Sequence, residues 1–299
     1  NISFSYKDTM SKFVEDKGYN EDQLKVLSLL KGDEEVCLMA APSFVVDFDY
    51  DSFVPLMKGL GFEYTTELTF GAKIVNQEYH RYIHENKDNQ EKFICSVCPA
   101  CVELVKAKYP EMEKYLLPFD SPMSAMAKVI DKNWPNQKNV FLAPCFAKKR
   151  EAKKYPNLIH ATITFSELKD IVSKEKPTPL KGSHLFDRFY NDYTKIYPLA
   201  GGLSATLHSK DILTKEEMVA KDGVKNLQKL FDKHSDKKFY DILFCNGGCI
   251  GGPGVASNKP IFVKRKRILS YRKGAKTEKI GKRKGLDKYT EGLDFSTEF

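Results

Sequence analysis

The sequence predicts an α/β protein with two lobes, each a small, mostly parallel sheet flanked by helices, around a shared crevice. Short apolar runs alternate along the chain with segments whose apolar residues have helical spacing. Three of these apolar runs end directly at a cysteine segment. Ligands of open α/β sheets bind beyond the carboxyl ends of the strands. We therefore expect the three cysteine segments to meet at one site in the crevice between the lobes.

The first predicted unit is the apolar run Val36–Ala41, ended by Pro42 and followed by helical spacing from Phe53 to a stop at Gly61. The same reasoning predicts strands at 64–68, 92–96, 139–143, 159–163 and 239–244, and helices at 72–85, 122–132, 166–174 and 224–233. We assign residues 1–275 to the main region, with lobes at approximately 1–135 and 136–258, and residues 259–299 to a basic helix and tail.

Composition limits the class of protein. A chain of 299 residues is long enough to bury roughly three quarters of its unfolded surface. Charged residues make up 29% and hydrophobic residues 41%, and the mean hydropathy is −0.45, which is typical of a soluble globular protein. No long apolar stretch and no basic start followed by an apolar core is visible. We expect no membrane span, no signal peptide and a cytoplasmic location.

The positive charge is concentrated near the end of the chain. Twelve Lys or Arg and one acid lie between Lys259 and Gly285, so the rest of the chain is close to neutral. Such a patch can bind nucleic acid, an anionic membrane or an acidic protein. The patch has few aromatic residues for base stacking, which makes nucleic acid an unlikely partner. A solvated helix is favoured, and an acidic redox partner is the next interpretation.

The seven cysteines indicate metal or redox chemistry, because an odd count without a secretion signal argues against a disulfide framework. Cys37 lies inside the first apolar run and is predicted to be a small core residue. The other six lie in three short segments rich in Pro or Gly. These segments are Cys95-Ser-Val-Cys98-Pro-Ala-Cys101, Pro144-Cys145-Phe-Ala-Lys148-Lys149-Arg-Glu151 and Cys245-Asn-Gly-Gly-Cys249-Ile-Gly-Gly.

Thiolates are soft ligands that suit zinc, copper(I) or iron–sulfur clusters. A structural zinc site favours paired cysteines two to four residues apart, whereas these candidates are spread over three strand ends. The spread favours a cluster in a crevice over a zinc knuckle. The glycines beside Cys245 and Cys249 allow positive φ and close approach of backbone N–H groups to a bulky cofactor. A glycine-rich loop at the start of a helix is the alternative interpretation of that segment.

Taken together, the three segments resemble the three cysteine motifs of the [FeFe]-hydrogenases. The matching residues are Cys98-Pro99, then Pro144-Cys145 with Lys148-Lys149 and Glu151, then Cys245-x-Gly-Gly-Cys249 with two further glycines. Other matches are Ala41-Pro42-Ser43, Gly61-Phe62-Glu63-Tyr64, Phe70-Gly71-Ala72, Tyr109-Pro110-Glu111, Ser121-Pro122 and Gly201-Gly202. The resemblance covers approximately residues 34 to 275.

The resemblance implies a cofactor and the residues that bind it. Cys98, Cys145, Cys245 and Cys249 would hold a [4Fe–4S] cluster, and Cys249 would bridge to a two-iron subcluster with carbonyl, cyanide and a bridging dithiolate. The implied reaction interconverts H₂ with protons and electrons. Lys148 would donate to one iron-bound cyanide, and Ser43 with the backbone near Ala41 and Pro42 would serve the other; we add Ser121 to these site residues.

The chain departs from the family pattern at the position before the first ligand. Catalytic members have a cysteine there that relays protons, whereas this chain has Val97, and a hydrocarbon cannot relay a proton. The acidic relay expected in the helix after Gly71-Ala72 is also poorly matched: Glu78 is the only carboxylate there before Glu85, and Tyr79 and Tyr82 lie at plausible relay positions. This pattern resembles the sensory branches of the family and predicts a slow enzyme or an H₂ sensor.

Two alternatives remain at this stage. One is a relative that kept the [4Fe–4S] cluster and lost the two-iron subcluster, with a role in cluster assembly or electron transfer. The other is a zinc or binding module that uses the basic tail. For the favoured interpretation, the expected partners are a ferredoxin-like protein or an upstream iron–sulfur segment as electron donor or acceptor, and the hydrogenase maturation proteins.

Overall fold

The computed structural model describes residues 17–187, 189, 193–208, 212–233, 235–275 and 286–299. The start of the chain and residues 276–285 of the predicted basic tail lie outside the described residues. The strands are Val36–Ala40 (β1), Tyr64–Glu67 (β2), Phe93–Ile94 (β3), Lys138–Ala143 (β4), Ala161–Thr164 (β5), Met218–Asp222 (β6) and Phe239–Leu243 (β7). The helices are Glu21–Lys31 (α1), Tyr50–Leu60 (α2), Thr69–Asn86 (α3), Pro99–Lys108 (α4), Pro122–Asn133 (α5), Phe146–Ala152 (α6), Phe165–Glu175 (α7), Val224–Asp232 (α8), Ile261–Ala275 (α9) and Leu286–Thr290 (α10).

Two parallel sheets confirm the predicted fold class. The first has the strand order β2-β1-β4-β5, and the second has the order β3-β7-β6. Every strand pairing in both sheets is parallel. Parallel strands need long crossovers, and the helices between the strands provide them.

The sheets do not follow the expected lobes of residues 1–135 and 136–258. β4 and β5 join β1 and β2 in the first sheet, while β3 leaves the first half of the chain to pair with β7. The apolar pattern of a buried strand shows that the strand is buried and carries no information on which neighbour it pairs with. The sequence therefore placed six of the seven described strands, and the pairing of β3 with β7 crosses the expected boundary between the lobes.

The central strands of the first sheet are buried on both faces, as their continuous apolar runs predict. All five residues of β1 are buried, and so are five of the six residues of β4. The Cys37 side chain is fully buried in this core, which agrees with its predicted role. Most predicted boundaries lie within a few residues of the observed ones.

Four of the described helices and strands were not predicted, and one of them is the short helix α10 in the region expected to be tail. α1 begins at a capping box formed by Asn20 and Gln23, and α6 follows Cys145 directly. β6 is an edge strand with intermediate and exposed residues, so it lacks the apolar run that marks the other strands. Among the described residues, none of the helices combines the length and the apolar composition that crossing a membrane would need.

A buried ion pair fixes helix α9 to the first sheet. The Glu67 carboxylate, at the end of β2, contacts the Lys195 ammonium at 2.5 Å, and both side chains are fully buried. Lys195 also donates to the Tyr271 hydroxyl of α9 at 2.9 Å, and that hydroxyl donates to Glu67. Two opposite charges at this depth are tolerated because each one has the other and a hydroxyl as partners.

This triad generates a stability prediction. Lys195→Met leaves the Glu67 carboxylate without its buried counter-charge, so we expect the unfolding free energy in urea to fall by about 3–5 kcal/mol. The double variant Glu67→Gln/Lys195→Met removes both charges and should recover most of that loss. Lys238→Met, which breaks the partly exposed pair with Glu217, should cost at most about 1 kcal/mol. A Lys195→Met variant as stable as the parent protein would contradict the analysis.

Candidate metal centre

The three cysteine segments meet at the carboxyl ends of strands from both sheets. Cys98 follows β3, Cys145 follows β4, and Cys245 follows β7. The Cys249 thiol is close enough to the other three that each of them raises its pKa, although burial is the larger cause. Burial also raises the pKa of Cys245 to about 12, with contributions from Cys98 and Cys145. The fold thus brings together the four cysteines that the sequence selected.

The Cys98 thiol differs from the other three. It lies at the N-cap position of α4, and the neighbouring Cys101 thiol and the Phe244 backbone contribute to lowering its pKa to about 6. A lowered pKa favours the thiolate, which is the form that binds metal.

Four thiolates this close repel one another, so they cannot all be ionised without positive charge between them. A metal centre supplies that charge and deprotonates its coordinating thiols. Within the described ranges, no group of three or more His, Cys, Asp or Glu is arranged to hold a single metal ion. The donor set of four thiols from three strand ends fits a cluster, whose iron atoms lie apart from one another.

Glycines allow the third cysteine segment to pack against its neighbours. Gly248 has a φ of +74°, and a Cβ there would lie 2.4 Å from the Pro198 carbonyl oxygen. At Gly252, a Cβ would lie 2.4 Å from the Pro144 carbonyl oxygen. The adjacent Cys249 N–H donates to Pro198 at 2.8 Å. The positive φ of Gly248 agrees with the prediction, and the glycines bring the backbone of this segment against Pro198 and the Cys145 segment. The predicted approach of N–H groups to a cofactor stays a prediction.

A small apolar cavity of about 80 Å³ adjoins the cysteines. Its walls include Ala41, Pro42, Ser43, Val97, Cys98, Cys145, Lys148, Leu243 and Cys249, as well as Leu68, Ala72, Phe141, Tyr197 and Pro198. The Ser43 side chain is completely buried, and its hydroxyl oxygen has no hydrogen-bond partner. A buried hydroxyl without a partner is costly, so this atom is available to a polar ligand in the cavity.

Lys148 is a second polar group in the cavity wall, and it is 9% exposed. Its ammonium donates to the Ser121 hydroxyl at 2.9 Å and to a Glu151 carboxylate oxygen at 2.6 Å. Lys149 points elsewhere and pairs with Asp22 and Glu167. The structure therefore brings Lys148 and Ser121 together and gives the neighbouring lysine a structural role.

Val97 lies in the cavity wall beside Cys98, and only 8% of it is exposed. In the preceding residue, the Ser96 hydroxyl lies 2.8 Å from the Tyr79 hydroxyl, and the Ser96 N–H donates to the same tyrosine oxygen at 2.8 Å. Burial is the main cause of the raised pKa of Tyr79. Ser96 was not singled out from the sequence, because no motif marks it. Ser96 meets Tyr79 because α3, the helix that contains Tyr79, packs against the segment that contains Ser96.

Asp241 is another buried group that the sequence did not mark. It lies in the middle of β7, where it accepts hydrogen bonds from the Ser204 N–H at 2.8 Å and from the Ser204 hydroxyl at 2.9 Å. Burial raises its pKa to about 6 despite these donors. Its carboxylate connects the second sheet to the loop that contains Gly201 and Gly202, close behind Cys95.

Comparison with known proteins identifies the family. Residues 34–253 match the family described as "Iron only hydrogenase large subunit, C-terminal domain". That match covers most of the chain and includes all four cysteines of the site. The chain belongs to the iron-only hydrogenase family, whose members are oxidoreductases of H₂ metabolism.

Solved structures share the fold. One variant of the [FeFe]-hydrogenase HydA1 from Chlamydomonas reinhardtii has a TM-score of 0.71 at 16% identity, with 90% of this chain and 93% of that chain covered. A second variant has a TM-score of 0.72 at 16% identity, with 91% and 94% covered. A structure on stepwise H-cluster assembly in HydA has a TM-score of 0.70 at 16% identity, with the same coverage. At this identity, the similarity concerns the fold.

Proposed function

We propose that this protein binds an H-cluster and interconverts or senses H₂, and that it does so slowly. One observation carries the proposal: four cysteines meet beside an apolar cavity that contains the partnerless Ser43 hydroxyl and the buried Lys148 ammonium. Cubane ligation alone would explain the cysteines. The buried Ser43 hydroxyl would then face an apolar cavity with no polar ligand to accept its hydrogen bond.

The residues present fit such a cofactor. Cys98, Cys145, Cys245 and Cys249 would hold the [4Fe–4S] part, and Cys249 lies in the cavity wall where a two-iron part would attach. When bound, the two-iron part supplies the metal site at which H₂ is split or formed. As in its relatives, we expect maturation proteins to deliver it.

The cavity residues would bind and orient the cofactor. The Lys148 ammonium and the Ser43 hydroxyl can donate to cyanide ligands, and Ala41 and Pro42 keep the surrounding wall apolar. Ser121 and Glu151 hold the Lys148 ammonium in place. Because the wall is mostly apolar, water is excluded and these hydrogen bonds are stronger than they would be in solvent.

Proton transfer limits the rate in this proposal. Val97 has no exchangeable proton and lines the cavity, and the Tyr79–Ser96 hydroxyl pair is absent from the cavity lining. The pKa of Tyr79 is raised, so its hydroxyl releases a proton reluctantly near neutral pH. A slow enzyme or a sensor follows from this arrangement, since a sensor needs binding and a redox change more than throughput.

The electron partner is an acidic iron–sulfur protein in this proposal. Helix α9 begins beside the third cysteine segment, where the Ile261 side chain packs against Gly247 and Gly251. Its outer face exposes 74% of Phe262 and 45% of Leu269, and cationic residues lie between them in the sequence. An apolar centre with a basic rim suits an acidic redox partner. A cytoplasmic location and weak nucleic-acid binding remain predictions.

Ligand removal tests the cysteine assignment. Cys245→Ala deletes one of four thiolates, so we expect the protein reconstituted with iron and sulfide to lose most of its [4Fe–4S] signal in electron paramagnetic resonance. Cys37→Ala removes a core thiol away from the site and should keep the parent signal. Full cluster occupancy in Cys245→Ala would refute the ligand assignment.

Infrared spectroscopy tests the two-iron part. After anaerobic loading with a synthetic two-iron precursor, we expect bands of iron-bound carbonyl and cyanide that shift under H₂. Ser43→Ala should shift a cyanide band, because that ligand loses a hydrogen-bond donor, whereas Lys149→Met should leave the bands unchanged. If no bands appear while the [4Fe–4S] signal is present, the protein is the cubane-only relative, which acts in cluster assembly or electron transfer.

Restoring the missing thiol tests the rate limitation. Val97→Cys places an exchangeable proton in the cavity wall, and we expect H₂ turnover per loaded two-iron site to rise by at least tenfold. Val97→Ala is the matched control, since it also shortens the side chain but adds no proton donor. If the two variants turn over H₂ at the same rate with the same occupancy of the two-iron site, another part of the proton path limits the rate.

A further inference from the structure

The turn between two of the proposed ligands lies against the end of a neighbouring strand. Residues 245–248 form this turn, which the Gly248 N–H closes by donating to the Cys245 carbonyl oxygen at 2.9 Å. Strand β6 ends beside it, because Asp222, the last residue of β6, pairs with Leu243 of β7. The chain reaches Cys245 two residues after Leu243. The end of β6 is therefore placed next to the loop that would bind the cluster.

The Asp222 carboxylate contacts the backbone of this turn. Its Oδ1 atom accepts a hydrogen bond from the Gly247 N–H at 3.1 Å. The next residue, Gly223, lies against the same turn, since a Cβ there would be 3.7 Å from the Asn246 Cα. Gly247 is two residues from the cysteine at each end of the loop. The carboxylate is thus held beside the midpoint of the loop that connects two proposed ligands.

No ion pair neutralises this carboxylate within the described part of the chain. An aspartate is ionised near neutral pH, and among the described residues no lysine, arginine or histidine pairs with Asp222. The side chain is partly exposed, so solvent weakens its field without removing it. The charge still reaches the Cys245 sulfur, because it adds to burial and to two other site cysteines in raising the pKa of that thiol.

We propose that Asp222 lowers the reduction potential of the [4Fe–4S] cluster at the four-cysteine site. This role rests on the proposed function, because it requires that the cysteines bind the cluster. On reduction, the [4Fe–4S]²⁺ form accepts one electron from a redox partner and becomes [4Fe–4S]⁺, and no bond is broken. The site then has one more negative charge. A fixed negative charge nearby disfavours that state and so lowers the potential.

Two effects of Asp222 act in the same direction. Its negative charge opposes the electron that reduction adds. Its oxygen also engages the Gly247 N–H, so this donor is not available to a cluster sulfur. Hydrogen bonds to the sulfurs are a second determinant of cluster potential, since they stabilise the more negative, reduced form. The cluster therefore stays oxidised until a strongly reducing partner supplies the electron.

A redox titration tests this role without the two-iron part. The full chain is reconstituted with iron and sulfide, and electron paramagnetic resonance follows the reduced cluster at defined mediator potentials. Asp222→Asn keeps an oxygen acceptor for the Gly247 N–H and removes the charge. At the midpoint potential of the parent protein, we expect the ratio of reduced to oxidised cluster to be at least threefold higher in this variant. For a one-electron couple, threefold corresponds to a positive shift of about 28 mV.

Further variants separate the charge from the structure of the turn. Asp222→Glu keeps the charge and should retain the parent potential, and Asp222→Ser serves as the uncharged variant if Asp222→Asn does not fold. Glu217→Gln is the matched control, because it makes the same change beside Lys238 at the other end of β6, about 16 Å along the strand. It should leave the potential unchanged.

The outcomes distinguish this role from the ligand assignment. A change smaller than threefold in Asp222→Asn, or the same shift in Asp222→Glu, would overturn the role of the Asp222 charge while the cluster signal keeps the ligand assignment intact. If the parent protein binds no [4Fe–4S] cluster, the ligand assignment itself is wrong and the role of Asp222 is refuted with it.

Discussion

The site depends on one constraint: both parallel sheets direct the carboxyl ends of their strands to the same crevice. β4 of the first sheet and β3 and β7 of the second each lead into a cysteine segment. In a parallel sheet all chain directions agree, so the residues that follow the strands collect at one edge. Two such edges facing each other bring together ligands that are far apart in the sequence. The glycines of the third segment then allow it to close onto the second.

Several polar groups are buried around the crevice, and most of them have defined partners. Lys148 is held by Ser121 and Glu151, and Asp241 is held by Ser204. Lys195 lies in the segment that leads directly to Tyr197 and Pro198 of the cavity wall, so its buried pair with Glu67 also fixes that wall. Buried polar networks of this kind are stable only when they are fully paired. The Ser43 hydroxyl, which has no partner, is an exception that points to a ligand.

The first cysteine segment combines two different chemical environments within seven residues. Cys98 precedes a helix and lies in the cavity wall, whereas Cys95 continues a strand and its sulfur accepts the Ile242 N–H. Val97 lies between them and presents a hydrocarbon to the cavity. In the proposed function, the same segment therefore supplies a metal ligand and lacks a proton relay. The local backbone conformation therefore decides that the Cys98 thiol lines the cavity whereas the Cys95 thiol is buried in the core.

The sequence alone predicted the fold class and the buried strands, and its motifs selected the four cysteines, Lys148 and Ser43 as candidate site residues. Local patterns suffice for these predictions, because apolar runs mark buried strands and the motifs are contiguous in the chain. Only the tertiary structure decided which strands share a sheet, that Ser121 holds Lys148, and that Ser96 meets Tyr79. The physical reason is that each of these contacts joins side chains through packing and backbone direction, and no pattern of residue types along the chain encodes them.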